Sequence, residues 1–476
     1  MKTRNFLYII LLIGIITGCG GSRKQVLEPK AEGDDEKNIV KLNYETTLMM
    51  DTVAPNPGIK FREVRRINSS NPPIKLNLAV TPEDKELKLS DYYSTVKYVK
   101  LKHPFADRER EFLSNANIAI SYEQGGSGSA GGINSNVYLT SKNIIAGDNY
   151  LGYHCYDLDG NFIYTIAAMN VLPDYIKRKN EVYVAENSRL KMINALYVYD
   201  DNCLIYTSQN RKARLDFHNI TARKTSVSRP YAGGRPLQIG QDAFISFQYN
   251  VRATAPMPFM YSFDAKGDTL CRFMSYNPIP EQRSGNATNP DGGNFYYFNN
   301  ILSIRQPYND TIYRVTSPSE LTPAYILNFG SQKLDITTAL YGDKAGKLIP
   351  NRWLEADKFA FIVHTENNDV PNNRSNNLVK FFYSYYDKKD GKLYRIPTDV
   401  YPADFLFSND VKDGMPISAS QIQVYGEKLF SGYTKAQLEA MTKNKNFSSL
   451  SSAQQEKVKS WLNELADGEM LMMILE

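Results

Sequence analysis

The residues of this chain that could carry out chemistry are scattered along 476 positions. Residues 126–131, Gly-Ser-Gly-Ser-Ala-Gly, have the G-x-G-x-x-G spacing of dinucleotide-binding loops. Such a loop needs a helix directly after it, because the helix N-terminus holds the pyrophosphate. Residues 136–141 are strand-like instead. We therefore expect a flexible Ser/Gly-rich loop and no nucleotide cofactor.

The histidines do not form an H-E-x-x-H or H-x-H metal motif. They are His103, His154, His218 and His364. His154 precedes Cys155, which suggests a thiolate–imidazole pair, but adjacent side chains on a strand point to opposite faces. We predict no metal site, although histidines distant in sequence could still converge in a closed ring.

Two aspartate pairs, Asp157 with Asp159 and Asp387 with Asp390, resemble fragments of calcium-binding loops. Each pair lies beside a glycine between strand-like runs, where Asp and Gly supply tight turns. We interpret both pairs as turn residues, with calcium binding as the alternative. The sequence has no G-x-S-x-G element and no P-loop, so we assign no catalytic residue.

Cys19 is the residue whose surroundings predict a definite chemistry. Lys2 and Arg4 are followed by eleven mostly apolar residues, 6–16, too few to span a hydrocarbon core of about 30 Å. Small residues ending in Gly18 then precede the cysteine. This arrangement is typical of a bacterial lipoprotein signal peptide, in which the cysteine is lipidated and begins the mature chain. Cys19 is therefore the predicted lipidation site.

The predicted location is the cell envelope, with the chain anchored in a membrane through lipid. Gly20, rather than an aspartate, follows Cys19 and favours the outer membrane. An odd number of cysteines remains, which leaves at least one thiol free. We favour buried free thiols for Cys155, Cys203 and Cys271. A Cys155–Cys203 disulfide is the alternative if their strands are neighbours.

The composition favours a β-rich globular chain without a nucleic-acid partner. The net charge is +5, from 56 basic and 51 acidic residues, and the basic residues do not cluster as they do in nucleic-acid binders. The chain has 33 Tyr and 22 Phe against only two Trp. Tyr and Phe suit pleated, half-buried surfaces, so they indicate β structure.

The chain divides into three predicted parts. Residues 1–18 are the signal peptide. Residues 19–86 are polar, with prolines at 55–57 and 72–73, and we predict a partly disordered tether that holds the rest away from the lipid. Residues 87–476 are the β domain.

Short strand-like runs follow one another through the β domain, separated by Gly, Asn, Asp and Pro. They are 118–122, 137–141, 153–156, 204–208, 244–249, 259–264, 301–305, 311–315, 359–364 and 380–386. Strands at this density with few helices indicate an all-β sandwich, barrel or propeller.

A weak internal repeat favours the propeller. An aromatic residue, a tight Asp/Asn/Gly turn and a second strand recur, with the aromatic at Tyr156, Phe217, Phe263, Tyr308 and Tyr386. The intervals are 61, 46, 45 and 78 residues, and propeller blades usually take about 40–50. We predict that each aromatic ends the third strand of a blade, and that the longer intervals carry inserted loops.

The two ends of the β domain are expected to close the ring. The run 89–101 can pair with the apolar run 470–475, which removes an open sheet edge. Capping boxes at Thr434 and Ser452, each with Gln three residues later, predict short accessory helices near the C-terminus. Their apolar spacing favours packing against the ring.

Four segments resemble the lipid-anchored six-bladed β-propeller proteins of Bacteroidota, long classed as domains of unknown function. They are 89–92 (Leu-Ser-Asp-Tyr) with 96–101, 156–162 (Tyr-Asp-Leu-Asp-Gly-Asn-Phe), 308–315 (Tyr-Asn-Asp-Thr-Ile-Tyr-Arg-Val) with 321–330, and the apolar ending after Asp467. The resemblance covers residues 87–476 and implies six blades. Family members often place a Gly-Pro-Gly-Glu-Tyr-like stretch after the first hairpin, whereas 167–175 here lacks glycine. The family offers no catalytic residue to carry over.

We expect a non-enzymatic binding or scaffold lipoprotein, with a glycan, peptide or protein as its partner. The Asn-rich segments 284–293 and 367–377 are the candidate binding loops, because long polar insertions on a rigid frame often bind ligands. The alternative is a hydrolase or lyase acting on polysaccharide in the central channel. A third possibility is a structural envelope component without a small ligand.

Overall fold

The structure is a computed structural model. All the residues that it describes lie within one compact unit, Val40–Glu476. The described residues are 50–51, 64–65, 71–102, 137–148, 152–167, 192–199, 201–209, 212–230, 236–247, 258–265, 267–274, 294–367, 380–398, 405–407, 409–466 and 469–476. Most of them lie in short antiparallel strands.

The described strands form six four-stranded antiparallel units, and we call them blades 1 to 6. Before them come β1 (Met50–Asp51), β2 (Val64–Arg65), β3 (Ile74–Asn77), β4 (Glu83–Asp84) and β5 (Val96–Leu101). Blade 1 holds β6 (Val137–Leu139), β7 (Asn143–Asp148), β8 (Gly152–Asp157) and β9 (Phe162–Ala167). Blade 2 holds β10 (Met192–Tyr199), β11 (Asn202–Gln209), β12 (Lys212–Asn219) and β13 (Lys224–Pro230). Blade 3 holds β14 (Pro236–Gln238), β15 (Ala243–Phe247), β16 (Pro258–Asp264) and β17 (Thr269–Met274).

The remaining blades follow the same order. Blade 4 holds β18 (Asn294–Phe298), β19 (Ile301–Arg305), β20 (Thr311–Ser317) and β21 (Glu320–Asn328). Blade 5 holds β22 (Lys347–Glu355), β23 (Phe359–Asn367), β24 (Lys380–Asp387) and β25 (Lys392–Ile396). A separate pair, β26 (Leu406–Phe407) and β27 (Ile417–Ser418), precedes blade 6. Blade 6 joins β28 (Gln423–Tyr425), β29 (Lys428–Thr434) and β30 (Met470–Leu475) to β5.

The ring closes between the two ends of the β domain, as predicted. β30 pairs antiparallel with β5, from Met470 opposite Leu101 to Leu475 opposite Val96. All six residues of β30 are buried. An all-β, six-bladed propeller with few helices is therefore confirmed as the fold.

Buried apolar clusters lie at every junction of the ring. One contains residues of blades 6 and 1, and a second contains residues of blades 1 and 2. A third extends from blade 2 through blade 3 to blade 4. The last two lie between blades 4 and 5 and between blades 5 and 6. Each blade therefore buries its faces against its neighbours.

The meander sorts the connections into two faces. Each blade has four strands, so its first–second and third–fourth turns leave at one face, and all other connections leave at the opposite face. The first group has at most four residues per turn, and we call that side the tight-turn face. The second group includes connections of many residues, such as 275–293, 368–379 and 435–469, and we call that side the long-connection face.

The N-terminal segment also follows the outer edges of two blades. β3 pairs parallel with β21 of blade 4, and β4 pairs parallel with β25 of blade 5. Asp84 accepts hydrogen bonds of 2.5 and 2.8 Å from Arg395. Residues 71–86, within the predicted tether, thus include strands paired with the ring.

The opening motif 89–92 fixes the same segment to blade 5 and to the segment before blade 6. The backbone N–H of Ser90 donates to Asp410 over 2.9 Å, and the hydroxyl of Tyr92 donates to Asp387 over 2.9 Å. Leu89 is fully buried. These contacts hold the segment just before the closing strand β5 against blade 5.

The described helices are short: α1 (Ile336–Tyr341), α2 (Lys435–Thr442) and α3 (Ser452–Glu464). α2 begins with the predicted capping box at Thr434. The box of α3 forms at Ser451 with Gln454, so the prediction at Ser452 is wrong by one residue. Gln454 is buried and its side-chain amide donates to the carbonyl of Asn409 over 2.8 Å, a tertiary contact that selects this register.

Within the described part of the chain, no helix has the length and apolar character needed to cross a membrane.

Four of the five repeat aromatics lie near the ends of third strands, as predicted: Tyr156, Phe217, Phe263 and Tyr386. The prediction for Tyr308 is wrong. Tyr308 precedes β20 and has a left-handed backbone with φ of 58°. The turn it belongs to joins the second and third strands of blade 4, at the long-connection face. The predicted run 118–122 lies outside the described residues.

Candidate functional site

A buried carboxylate, Glu355, lies at the centre of a cluster in which two cations contact one anion. Glu355 ends β22, the first strand of blade 5, and only 1% of it is exposed. Nη2 of Arg314, on β20 of blade 4, lies 2.8 Å from Oε1 and 2.7 Å from Oε2. Nζ of Lys388 donates to Oε1 over 2.9 Å. The cluster therefore joins two blades through charge.

Two phenols complete the coordination of Glu355. Tyr325 of β21 and Tyr296 of β18 each donate to the carboxylate over 2.7 Å. The hydroxyl of Tyr296 in turn accepts from Arg314 over 3.0 Å and from the indole N–H of Trp353 over 2.8 Å. Each oxygen of Glu355 thus accepts from a phenol and from at least one cation.

The electrostatics of the cluster favour an ionised Glu355 and neutral Tyr296 and Tyr325. Burial opposes ionisation of Glu355, but the Arg314 and Lys388 charges keep its pKa below the usual value. Burial and the Glu355 charge raise the pKa of Tyr296 and Tyr325. These phenols are therefore poor bases at neutral pH, and Glu355 is a poor proton donor.

Phe298 lies beneath both cations at the tight-turn face. The Arg314 guanidinium carbon is 4.9 Å from its ring centroid and the Lys388 nitrogen is 4.3 Å. Cation–π contact adds to the charge pairing. The arrangement can clamp blades 4 and 5 together, and donors of the cluster occupy both oxygens of Glu355.

Sequence reasoning singled out the segment containing Arg314 but missed Glu355. The family-like segment 308–315 carries the arginine on a strand whose neighbours Tyr313 and Val315 are buried. An arginine among buried positions signals a buried acidic partner. The identity of that partner has no local sequence signal.

A second polar cluster lies between blades 1 and 2. The Tyr164 hydroxyl donates to the carbonyl of Ile220 over 3.0 Å and lies 2.9 Å from Nε2 of His218. Since the phenol proton goes to the carbonyl, Nε2 must carry hydrogen and donate to the phenol oxygen. Nδ1 of His218 lies 3.2 Å from the hydroxyl of Thr225. Burial lowers the pKa of His218, which favours the neutral imidazole, and Nδ1 of that form accepts from the hydroxyl.

The thiols of Cys155, Cys203 and Cys271 are buried and free, as we favoured. Cys155 and Cys203 belong to the apolar cluster between blades 1 and 2, and Cys271 belongs to the cluster around blade 3. Burial raises the pKa of Cys155 to about 11 and that of Cys203 well above its ordinary value. Thiols with such pKa values are weak nucleophiles at neutral pH.

The histidines that the structure describes lie in three different blades. His154 is on β8, His218 on β12 and His364 on β23. Burial lowers the pKa of His154 and of His364 to about 4, so both are neutral. His103, Cys19 and the Gly-rich segment 126–131 lie outside the described residues.

The aspartate pairs serve as turn residues. Asp157 accepts from the backbone N–H groups of Asp159 and Asn161 over 2.9 and 2.8 Å. Asp390 accepts from the backbone of Lys392 over 2.9 Å and from the hydroxyl of Tyr394 over 2.6 Å. The carboxylate oxygens of Asp157 and Asp390 therefore already accept hydrogen bonds from N–H and O–H groups of their own turns. Among the described residues, no group of three or more His, Cys, Asp or Glu side chains could hold a metal ion.

The two Asn-rich segments belong to connections at one face. The connection 275–293 joins blade 3 to β18 of blade 4, and 368–379 joins β23 to β24 within blade 5. Both leave at the long-connection face of the blades that Glu355 and Arg314 join. The connections themselves lie outside the described residues.

Comparison with known proteins gives a family and distant structural likenesses. A family model described as a domain of unknown function, DUF4933, matches residues 56–444. No curated protein matches the chain. The chain is similar to a protein of Bacteroides fragilis described as exported, at 12% identity, covering 84% of this chain and 98% of that one with a TM-score of 0.49. It is also similar to virginiamycin B lyase from Staphylococcus aureus at 10% identity, covering 71% and 94%, with a TM-score of 0.29.

Proposed function

We propose that this chain, which belongs to the DUF4933 family, is a lipid-anchored binding module of the cell envelope. Its long-connection face would hold a glycan, a peptide or a protein, and Cys19 would anchor the chain, most simply in the outer membrane. The ring would act as a rigid frame and not as a catalyst.

The observation that carries the proposal is the shared face of the Asn-rich segments. The connection 275–293 enters blade 4 and 368–379 lies within blade 5, so polar sequence from two neighbouring blades leaves at the same side. Asparagine offers both donors and acceptors, which suits sugar hydroxyls and peptide groups. Binding residues commonly lie on long loops that a rigid scaffold positions.

The Glu355 cluster supports a binding role over catalysis. Two cations and two phenols surround one carboxylate, and the pKa values of the carboxyl and of both phenols move away from neutrality. A general acid or base works best with a pKa near the operating pH. A clamp of this kind instead fixes the relative position of the blades that carry the Asn-rich connections.

The anchor is supported by the sequence before Cys19. A basic start, a short apolar run and small residues precede the cysteine, which matches the lipidation signal. Replacing Cys19 with serine should abolish incorporation of labelled fatty acid and release the chain from membranes. Labelling that persists in the Cys19→Ser variant would show that the anchor assignment is wrong.

A direct binding screen can identify the class of ligand. The full-length Cys19→Ser chain can be tested on glycan and peptide arrays, with binders confirmed by calorimetry. We expect a binder whose affinity depends on residues 284–293 or 368–377. Turnover of a polysaccharide by the same preparation would instead favour the hydrolase or lyase alternative.

A further inference from the structure

The outer strand of blade 1, β9, differs from the other outer strands that the structure describes. Its sequence, Phe-Ile-Tyr-Thr-Ile-Ala, contains neither a charged residue nor proline. Each of the others is guarded or covered. β5 carries Lys97 and Lys100, β13 carries Lys224, Arg229 and Pro230, β17 carries Arg272, β21 pairs with β2 and β3, and β25 pairs with β4.

An outer strand exposes backbone N–H and C=O groups that can pair with another strand. Natural proteins discourage such pairing with charges, with proline or with a covering segment. β9 consists largely of β-branched and aromatic residues, which favour strand pairing. Phe162 is 45% exposed and Thr165 is exposed, so this edge reaches solvent.

The chain itself shows that its blades accept an added strand. β3 pairs along the outer edge of blade 4 over four residues, and β4 pairs along the outer edge of blade 5. Both are extended segments brought from elsewhere in the sequence. β9 occupies the equivalent position in blade 1, and its described strand partner is β8.

We propose that β9 is a docking edge for a second copy of this chain, which adds its own β9 in an antiparallel pair. A second β9 brings no charge into the contact, whereas β5, β13 or β17 would bring a cation against the edge. Antiparallel pairing of identical edges satisfies two-fold symmetry, the commonest symmetry of protein dimers. The proposal does not depend on the binding function of the long-connection face.

The expected association is weak. Register shifts interrupt the β8–β9 pairing at two places, and such bulges twist an edge. Six residues per strand also bury less area than a stable interface of about 1,200–2,000 Å². Confinement of lipid-anchored copies to one membrane would raise their effective concentration.

Equivalent threonines in adjacent blades supply a matched pair of variants. Thr165 on β9 lies 3.1 Å from Nδ1 of His154, and Thr225 on β13 lies 3.2 Å from Nδ1 of His218. Both threonines are exposed. Thr165→Lys and Thr225→Lys therefore lose the same kind of hydrogen bond, but only Thr165→Lys places a charge on the unguarded edge.

Sedimentation velocity of the full-length Cys19→Ser chain over a concentration series tests the proposal. We expect reversible dimers in the parent chain and in the matched control Thr225→Lys, and at least about tenfold weaker association in Thr165→Lys. A parent chain that stays monomeric, or equal dimerisation of the two lysine variants, would overturn it. If Thr165→Lys fails to fold, amide hydrogen exchange of the parent chain, measured over the same concentration series, tests the proposal instead. Backbone amides of β9 must become protected as the concentration rises, and unchanged exchange would overturn the proposal.

Discussion

Arg314 of blade 4 and Glu355 of blade 5 are joined by two contacts of 2.8 and 2.7 Å from one guanidinium nitrogen to both carboxylate oxygens. Lys388 adds a third contact of 2.9 Å to the same carboxylate. Two cations are therefore balanced on one buried anion at the junction of two blades. Removing the anion leaves both cations, whose side chains are only 15% and 20% exposed, without their counter-charge.

Glu355→Ala should lower the free energy of unfolding by about 3–5 kcal/mol, because it leaves buried charge without its partner. Urea denaturation measures this loss. The matched control is Asp159→Asn, which breaks an exposed pair with Lys97 whose side chains are 43% and 77% exposed. We expect a loss below about 1 kcal/mol there. Equal losses in the two variants would mean that the Glu355 cluster is not a clamp.

His364 should make the ring sensitive to mild acid. Burial lowers the pKa of His364 to about 4, below the unfolded value of about 6.5. The unfolded chain therefore binds a proton that the folded chain does not. The contribution of neutral His364 to the free energy of unfolding is complete above pH 6.5 and falls as the pH drops toward 4. His154 acts in the same direction.

His364→Phe should reduce that pH dependence and leave the contribution of His154 in place. The ring of His364 stacks on Phe382 at 5.1 Å and contacts Phe329 at 5.4 Å, and its buried Nδ1 has no hydrogen-bond partner among the described residues. Phenylalanine keeps the ring contacts and removes the proton site, so stability near neutral pH should be retained. Urea denaturation between pH 5 and 8 tests this. An unchanged loss of stability with acid would contradict the assignment.

Gly160 should tolerate substitution less than another glycine with the same kind of backbone. Its φ is +87°, and a Cβ would lie 2.5 Å from the carbonyl oxygen of Lys100 on the closing strand. Gly426 has φ of +57°, and a Cβ added there would meet no atom within 4 Å. Gly426→Ala should cost about 1 kcal/mol from backbone strain alone. Gly160→Ala should lower the free energy of unfolding by clearly more than that. Similar melting temperatures of the two variants would show that contact with the Lys100 carbonyl does not restrict position 160.

Local chemistry predicted much of this fold. Turn residues such as Asp157 and repeated aromatics such as Tyr156 act within one hairpin, so their sequence neighbours are their structural neighbours. The apolar run 470–475 and the run 89–101 were matched because an unpaired edge at either end is unfavourable. Such features can be predicted from the pattern of apolar and turn residues, even where the exact strand register is not known.

The clamp could not be predicted in the same way. Tyr296, Arg314, Tyr325, Glu355 and Lys388 come from two blades and meet only after the ring forms. Glu355 is one of 51 acidic residues, and its neighbours in sequence carry no signal of burial by cations. The capping box of α3 shows the same limit, since the contact of Gln454 with Asn409 chooses between two adjacent serines.

The central claim is that the long-connection face binds a ligand, and a comparison of two variants tests it most directly. One variant of the Cys19→Ser chain replaces residues 284–293 and 368–377 with Gly/Ser sequence of equal length. The other carries Lys389→Ala and Lys392→Ala, two exposed residues of the tight-turn face. Calorimetry against a binder found on the glycan or peptide arrays should show loss of affinity in the first variant and unchanged affinity in the second. Full affinity in the first variant, or loss confined to the second, would contradict the account.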